Sequence, residues 1–301
     1  MDKKIEDYLA YLESVRGLSE RTLRVYRDDL GRYEAFLGSC DIDSAGASEI
    51  RSFAGSLVME GKAASSVNRA LSTLRGYYRY RMRFGNLNTD PGREVENLSS
   101  ERSLPRFMFE EEADKLMESI RGSDFSDLRD RALFEVLYST GCRASEIVGM
   151  RVDRVDLSGS MIRVMGKGSK ERVVFLGRMA CQALSRYLPM RAMRLQMLKA
   201  EDHGRLFINR LGAPLSVRGL EKIVEKRKGA SNFKKAISPH AFRHSFATHL
   251  VASGADIRVV QELLGHSSIS TTQVYNHVDM EHLRKVYELA NPNGDKGRRY
   301  G

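Results

Sequence analysis

A polar, turn-rich stretch from Asn86 to Pro105 breaks this chain into two segments of different character. It carries Asp90-Pro91-Gly92 and Ser99-Ser100-Glu101-Arg102-Ser103, which interrupt both helical and strand periodicity. At 301 residues the chain exceeds one typical domain. We therefore expect a helical domain over 1–95, a linker over 96–106 and a second domain over 107–301. The first domain reads as four helices. Ile5–Val15 stops at Gly17, and Ser19 caps a helix with Leu23, Tyr26, Leu30 and Tyr33 on one face. Ser48 caps a third helix running to Gly61. Ser65 or Ser66 opens a fourth, with Val67, Leu71, Leu74 and Tyr78 as its buried stripe.

The second domain reads as mixed but mostly helical, so the fold class is mainly α with a small β-sheet. Asp127–Ser139 is helical, breaks at Thr140-Gly141 and resumes from Arg143 to about Met150. Met161–Met165 and Arg172–Leu176 flank Gly-Lys-Gly-Ser-Lys and predict a hairpin. A helix from Gly177 meets Pro189, where it should kink or stop. Leu206–Asn209 reads as a short strand, and Ser216 caps a helix through about Lys226. Ser238-Pro239 is a cap with proline at the first helical position. Asp256 caps the next helix, which Gly265 closes. A short helix is expected at Thr271–Tyr275. Asp279 should cap the last helix, with Leu283, Val286, Tyr287 and Ala290 on one side.

A net charge of +10 and a pI near 9.5 favour a polyanionic partner. The excess is uneven: residues 1–105 hold 16 Lys/Arg against 16 Asp/Glu, and residues 106–301 hold 33 against 23. Within the balanced part, Ser65–Gly85 contains no acid at all, which makes Arg69, Arg75 and Arg79 candidates for phosphate contact. The three cysteines, Cys40, Cys142 and Cys181, are too far apart for a disulfide framework or a zinc knuckle. The N-terminus has no apolar signal core, and no apolar run is long enough to span a bilayer. These features predict a cytoplasmic protein without a membrane partner.

The chemistry-bearing residues lie in the second domain. Opening a phosphodiester without a metal needs a nucleophile, an acid for the leaving oxygen and cations for the charge on the phosphorane. Arg143 and Arg243 suit the last task, since a guanidinium fork binds two oxygens and stays charged. Arg143 follows a glycine break at a helix start, where an anion is also favoured. Arg243 lies three residues after His240, on the same side of a helix N-terminal end. Lys167, at the hairpin tip, could protonate a leaving 5′-oxygen. Tyr275 could attack once its proton is removed, with His240 as acceptor, and His266 could hydrogen-bond a non-bridging oxygen. Taken singly, each has a plainer reading as a surface arginine, a turn lysine or a core tyrosine. His244 and His249 diverge around their helix and lack the glutamate and third ligand of a zinc site, so they read as structural. No Walker loop or nucleophile elbow occurs.

The order of the pieces is more informative than any one of them. Thr140-Gly141-Cys142-Arg143-Ala144-Ser145-Glu146, Gly166-Lys167-Gly168, His240-Ala241-Phe242-Arg243-His244, Leu264-Gly265-His266 and Tyr275-Asn276-His277-Val278 together resemble the tyrosine site-specific recombinases, in particular those of Xer type. Cys142, in place of an aliphatic residue, and the tail after Pro292 depart from the pattern. The resemblance implies a SAM-like, core-binding first domain that clamps double-stranded DNA together with the catalytic domain. Arg143, Lys167, His240, Arg243, His266 and Tyr275 would form the active site, with Glu146 as a supporting carboxylate. The enzyme would cut and rejoin DNA through a 3′-phosphotyrosine and a Holliday junction, with neither cofactor nor metal, and so resolve chromosome or plasmid dimers on the nucleoid. It would work as a homo- or hetero-tetramer whose last helix docks on a neighbour, and a DNA translocase is a conceivable activator. Two alternatives stay open: an integrase of a phage or mobile element with the same chemistry, and a DNA-binding protein that does not cut.

Overall fold

The computed structural model describes residues 1–99, 107–166, 171–230, 237–265 and 277–290. It divides into two compact units, Met1–Ser103 and Leu104–Gly301. The first holds α1 (Lys3–Ser14), α2 (Glu20–Leu37), α3 (Ala47–Met59) and α4 (Ala64–Phe84). Asp2 and Ser19 cap the first two through the backbone N–H groups of Lys4 and Thr22. The third and fourth helices start earlier than expected. Gly46 rather than Ser48 precedes α3, where Glu49 accepts the Gly46 N–H at 2.8 Å and does the capping from inside. Ala63 precedes α4 without a side-chain cap.

The bundle core takes one stripe from each helix: Ile5 and Leu9, Leu30 and Tyr33, Ile50 and Phe53, then Val67, Leu71, Leu74 and Tyr78. Helices that are individually marginal in water are held by this shared burial. Asn68 of α4 donates to the Leu98 carbonyl at 2.9 Å and accepts the Leu98 N–H at 2.7 Å, so Leu98 is tied to the bundle.

The second unit holds α5 (Glu110–Glu118), α6 (Phe125–Thr140), α7 (Ala144–Gly149), β1 (Val155–Asp156), β2 (Met161–Met165), β3 (Glu171–Phe175), α8 (Arg178–Leu198), α9 (Val217–Ala230), α10 (Pro239–Ala252), α11 (Ile257–Leu264) and α12 (His277–Ala290). The sheet is antiparallel in the order β1-β2-β3, with Ile162 opposite Val174 and Val164 opposite Arg172. Opposed residues share a face. Ile162, Val164 and Val174 therefore enter the main core with Leu133, Phe134 and Leu137 of α6. Phe175, with Met161 and Val173, faces a second cluster made with Phe246, Leu250, Leu263 and Tyr287.

Three expectations are decided or narrowed here. Proline 189 does not stop α8, which runs on to Leu198. The carbonyl that loses its helical partner belongs to Ser185, an exposed residue, while Leu184 and Tyr187 anchor the helix on the core side. Leu206, Phe207 and Ile208 are buried, but Leu206–Asn209 is no strand. It has only isolated bridges, because the Leu206 N–H goes to the Met150 carbonyl and the Phe207 carbonyl accepts from Leu215. Finally, α12 begins at His277, so Asp279 lies inside it and is not its cap. Leu283, Tyr287 and Ala290 of α12 are packed on their own unit. The expected helix at Thr271–Tyr275 falls outside the described residues.

Candidate active site

The centre of the second unit is the turn at the end of α6. This helix is buried on nearly every side, and Gly141 ends it in the left-handed region at φ +57°. A Cβ on Gly141 would lie 2.4 Å from Cδ1 of Phe246 in α10, so glycine alone lets the turn approach that helix. The Thr140 hydroxyl accepts the Cys142 N–H at 3.2 Å. The chain then enters α7 with Arg143 at the N-cap position. Glu146, three residues on, accepts the Arg143 backbone N–H at 2.8 Å, which is the reciprocal arm of a capping box. It also accepts Nη1 of the Arg143 side chain at 3.1 Å.

Glu146 has a second arginine. Arg172 lies on the core face of β3 and donates Nη1 to Oε1 at 2.9 Å and Nη2 to Oε2 at 3.0 Å. Burial alone would raise the Glu146 pKa. The Arg172 hydrogen bonds and charge, with help from the Arg143 N–H and guanidinium, reverse that and hold the carboxyl below its ordinary range.

Arg243 comes from α10. Ser238 caps that helix by accepting the Ala241 N–H, with Pro239 at its first position. Arg243 Nη1 donates to the Gly141 carbonyl at 2.8 Å and Nη2 to the Leu264 carbonyl at 2.9 Å. One guanidinium thus ties the turn before Arg143 to the turn before His266, and among the described residues these bonds use two of its five donors. Burial, and next the charge of Arg143, lower its pKa to about 10, with Glu146 opposing and Arg172 adding to the fall. It remains a cation at neutral pH. Three guanidinium groups therefore gather about one carboxylate, a surplus of positive charge at a helix N-terminus. Of the two bonded to Glu146, the Arg143 side chain is 39% exposed and that of Arg172 11%.

The remaining expected residues are only partly accounted for. His240 stands exposed in the first turn of α10, and no hydrogen bond joins it to the arginines among the described residues. Lys167, His266 and Tyr275 lie outside the described residues. His244 is exposed with its ring edge-on to Phe107 at 5.9 Å. His249 is buried, its Nδ1 2.9 Å from the Tyr138 hydroxyl, and burial pushes its pKa down. The two rings point apart, as their spacing predicts. Among the described residues no group of three metal-ligating side chains occurs, and no helix is long and apolar enough to cross a membrane.

The arginines of α4 have partners within their own unit. Helix α4 has no acid of its own, but acids reach it from elsewhere. Arg69 makes two bonds to buried Asp29 of α2, at 3.1 and 3.0 Å. Arg81 pairs with Asp43 at 2.8 Å. Arg75 turns inward and donates to the carbonyls of Gly92 and Val95 and to Asn97, which pins the chain after α4. Of the three named candidates only Arg79 is exposed and, among the described residues, without an acid; it is bonded through Nε to the Arg75 carbonyl at 3.1 Å.

With this geometry in hand, comparison with known proteins identifies the class. Residues 106–282 match the phage integrase family and residues 5–85 match its N-terminal SAM-like domain. The chain belongs to this family of tyrosine recombinases, enzymes that break and rejoin DNA. It is 39% identical to tyrosine recombinase XerC of Thermodesulfovibrio yellowstonii over 96% of both chains. It is 41% identical to XerC of Treponema denticola over 97% of this chain and 99% of that one, and 37% identical to XerD of Staphylococcus haemolyticus over 97% and 99%. Its type within the family is Xer. Solved structures share the fold: the Tn1549 transposon integrase in complex with transposon right end DNA, at TM-score 0.70, 19% identity and coverage of 93% and 99%, and XerH bound to palindromic difH substrate, at 0.68, 23%, 92% and 83%.

Proposed function

We propose that the chain cuts one DNA strand with Tyr275, holds its 3′ end as a phosphotyrosine and passes it to a partner duplex. The Tyr275 oxygen forms a bond to phosphorus as the bond to the 5′-oxygen breaks. His240 takes the phenolic proton and Lys167 returns one to the leaving oxygen. Arg143 and Arg243 bind the non-bridging oxygens, with His266 as a further donor. The reverse attack by a 5′-hydroxyl of the other duplex exchanges strands through a Holliday junction. The phosphodiester energy is kept in the phosphotyrosine, so resealing consumes no nucleotide. The observation that carries this reading is the gathering of Arg143, Arg172 and Arg243 about Glu146, cationic surplus built for an anion at a helix start.

The match to XerC and XerD over nearly their whole length favours resolution of chromosome or plasmid dimers in the cytoplasm over integration of a mobile element. Dimers and tetramers on DNA fit the neighbours of this fold, which include a lambda integrase dimer on a core site and a tetramer on a Holliday junction. The test uses a nicked duplex built on the sequence that the wild-type protein selects from a random pool. Denaturing electrophoresis should show a covalent adduct that Tyr275→Phe abolishes while keeping DNA binding. An undiminished adduct in Tyr275→Phe would move the nucleophile elsewhere. No adduct in the wild type would leave a DNA-binding protein that does not cut.

A further inference from the structure

Arg172 is absent from the expected catalytic set, yet its guanidinium is bonded through both Nη atoms to the Glu146 carboxylate. Its strand position is one that packing alone would give to an apolar residue, since its face is shared with Ile162, Val164 and Val174. Burying a guanidinium there is costly unless it is paired, and a well-packed apolar residue commonly serves stability as well or better. Stability therefore does not explain the arginine. Geometry does.

Each Glu146 oxygen takes one bond from Arg172 and one from Arg143: Oε1 from the two Nη1 atoms, Oε2 from Arg172 Nη2 and the Arg143 backbone. This four-bond frame fixes the carboxylate and leaves Arg143 attached by a single side-chain bond. The covered position of Arg172, 11% exposed against 39% for Arg143, separates the arginine that holds from the one that is presented. Arg172 also lies directly against the α11 terminus: a Cβ on Gly265, at φ +67°, would sit 2.9 Å from Nε. That glycine immediately precedes His266.

We propose that Arg172 is a positioning residue of the recombinase site, which orients Arg143 through Glu146 and supports the turn that leads to His266. The proposal rests on the recombinase reading above. Without Arg172, Glu146 is free to engage the Arg143 fork with both oxygens and compete with the scissile phosphate for it. Misplacement of a catalytic group by about 1 Å can cost on the order of 10²-fold in rate.

The experiment measures single-turnover adduct formation on the nicked duplex, with DNA affinity and Tm determined alongside. Arg172→Ala should slow cleavage by about 10²-fold while affinity changes by less than about threefold. Arg172→Lys keeps the charge and guards against a folding failure. It should remain slow, because a lysine has no planar fork to hold both oxygens. The decisive variant is Arg172→Ala with Glu146→Gln, which removes the competing carboxylate and should cleave faster than Arg172→Ala alone. Multiplying losses in the double variant, or full activity in Arg172→Lys, overturns the positioning role. If the wild type forms the adduct and Arg172→Ala matches its rate, only this inference falls. If the wild type forms none, the recombinase reading falls first.

Discussion

Asp29 in the N-terminal unit and Glu146 in the C-terminal unit are carboxylates of almost equal burial, 5% and 4% exposed at the side chain, and each receives a two-bonded arginine fork. They differ in what surrounds the fork. Asp29 meets one arginine and the Thr73 hydroxyl, which closes the charge account between α2 and α4. Glu146 meets two arginines, with Arg243 close enough to feel both. The first arrangement secures a helix contact and leaves nothing over. The second concentrates cations past neutrality, which is worthwhile only where an anion arrives to share them. Arginine content therefore says little about DNA contact until each guanidinium is matched with its acid.

That contrast can be broken most directly at Arg243. Arg243→Ala should lower the cleavage rate by roughly 10²–10³-fold with a far smaller loss of DNA affinity. A loss seen only in affinity would make Arg243 another tether like Arg69. A smaller effect is expected in stability. Glu146→Gln should cost about 2 kcal/mol at neutral pH, measured by denaturant unfolding. The folded carboxyl titrates below its ordinary 4.5, so its contribution is complete above that pH and shrinks as the pH falls through the folded value. The gap between wild type and Glu146→Gln should therefore narrow in acid, and a pH-independent gap would show that the charge is not responsible. The smallest effect distinguishes two exposed arginines of one helix. Arg79→Ala should reduce the salt dependence of DNA binding by about one phosphate contact. Arg69→Gln should leave that slope unchanged and cost only about 0.5–1 kcal/mol in stability. Equal slopes for the two variants would erase the distinction drawn between them.

Local chemistry was readable from the chain, and pairing across long separations was not. Ser19, Ser238 and Asp256 act as caps, and Gly141 and Gly265 end their helices, because each of these choices is settled within a few residues. The buried stripe of α4 follows from periodicity for the same reason. The acids that occupy Arg69 and Arg81 come from 40 and 38 residues away, so no window along α4 could display them. Arg172 was hidden similarly: it reads as the first residue of a strand, and only the register opposite Val164 turns it inward toward Glu146, 26 residues off. Its one signal was the alternation itself, which puts a charge where Ile162, Val164 and Val174 lead one to expect an aliphatic. Pro189 left a kink and a stop both open, because which of them a helical proline imposes is a matter of tertiary placement.

The Tyr287 hydroxyl lies 2.6 Å from Ser139 Oγ and donates to the Ser139 carbonyl at 3.1 Å, while the same Oγ accepts the Gly177 N–H at 2.6 Å. Lifting α12 away would strip that short polar chain of a member two residues before Gly141 and would bare Phe175, Phe246 and Leu250 to water.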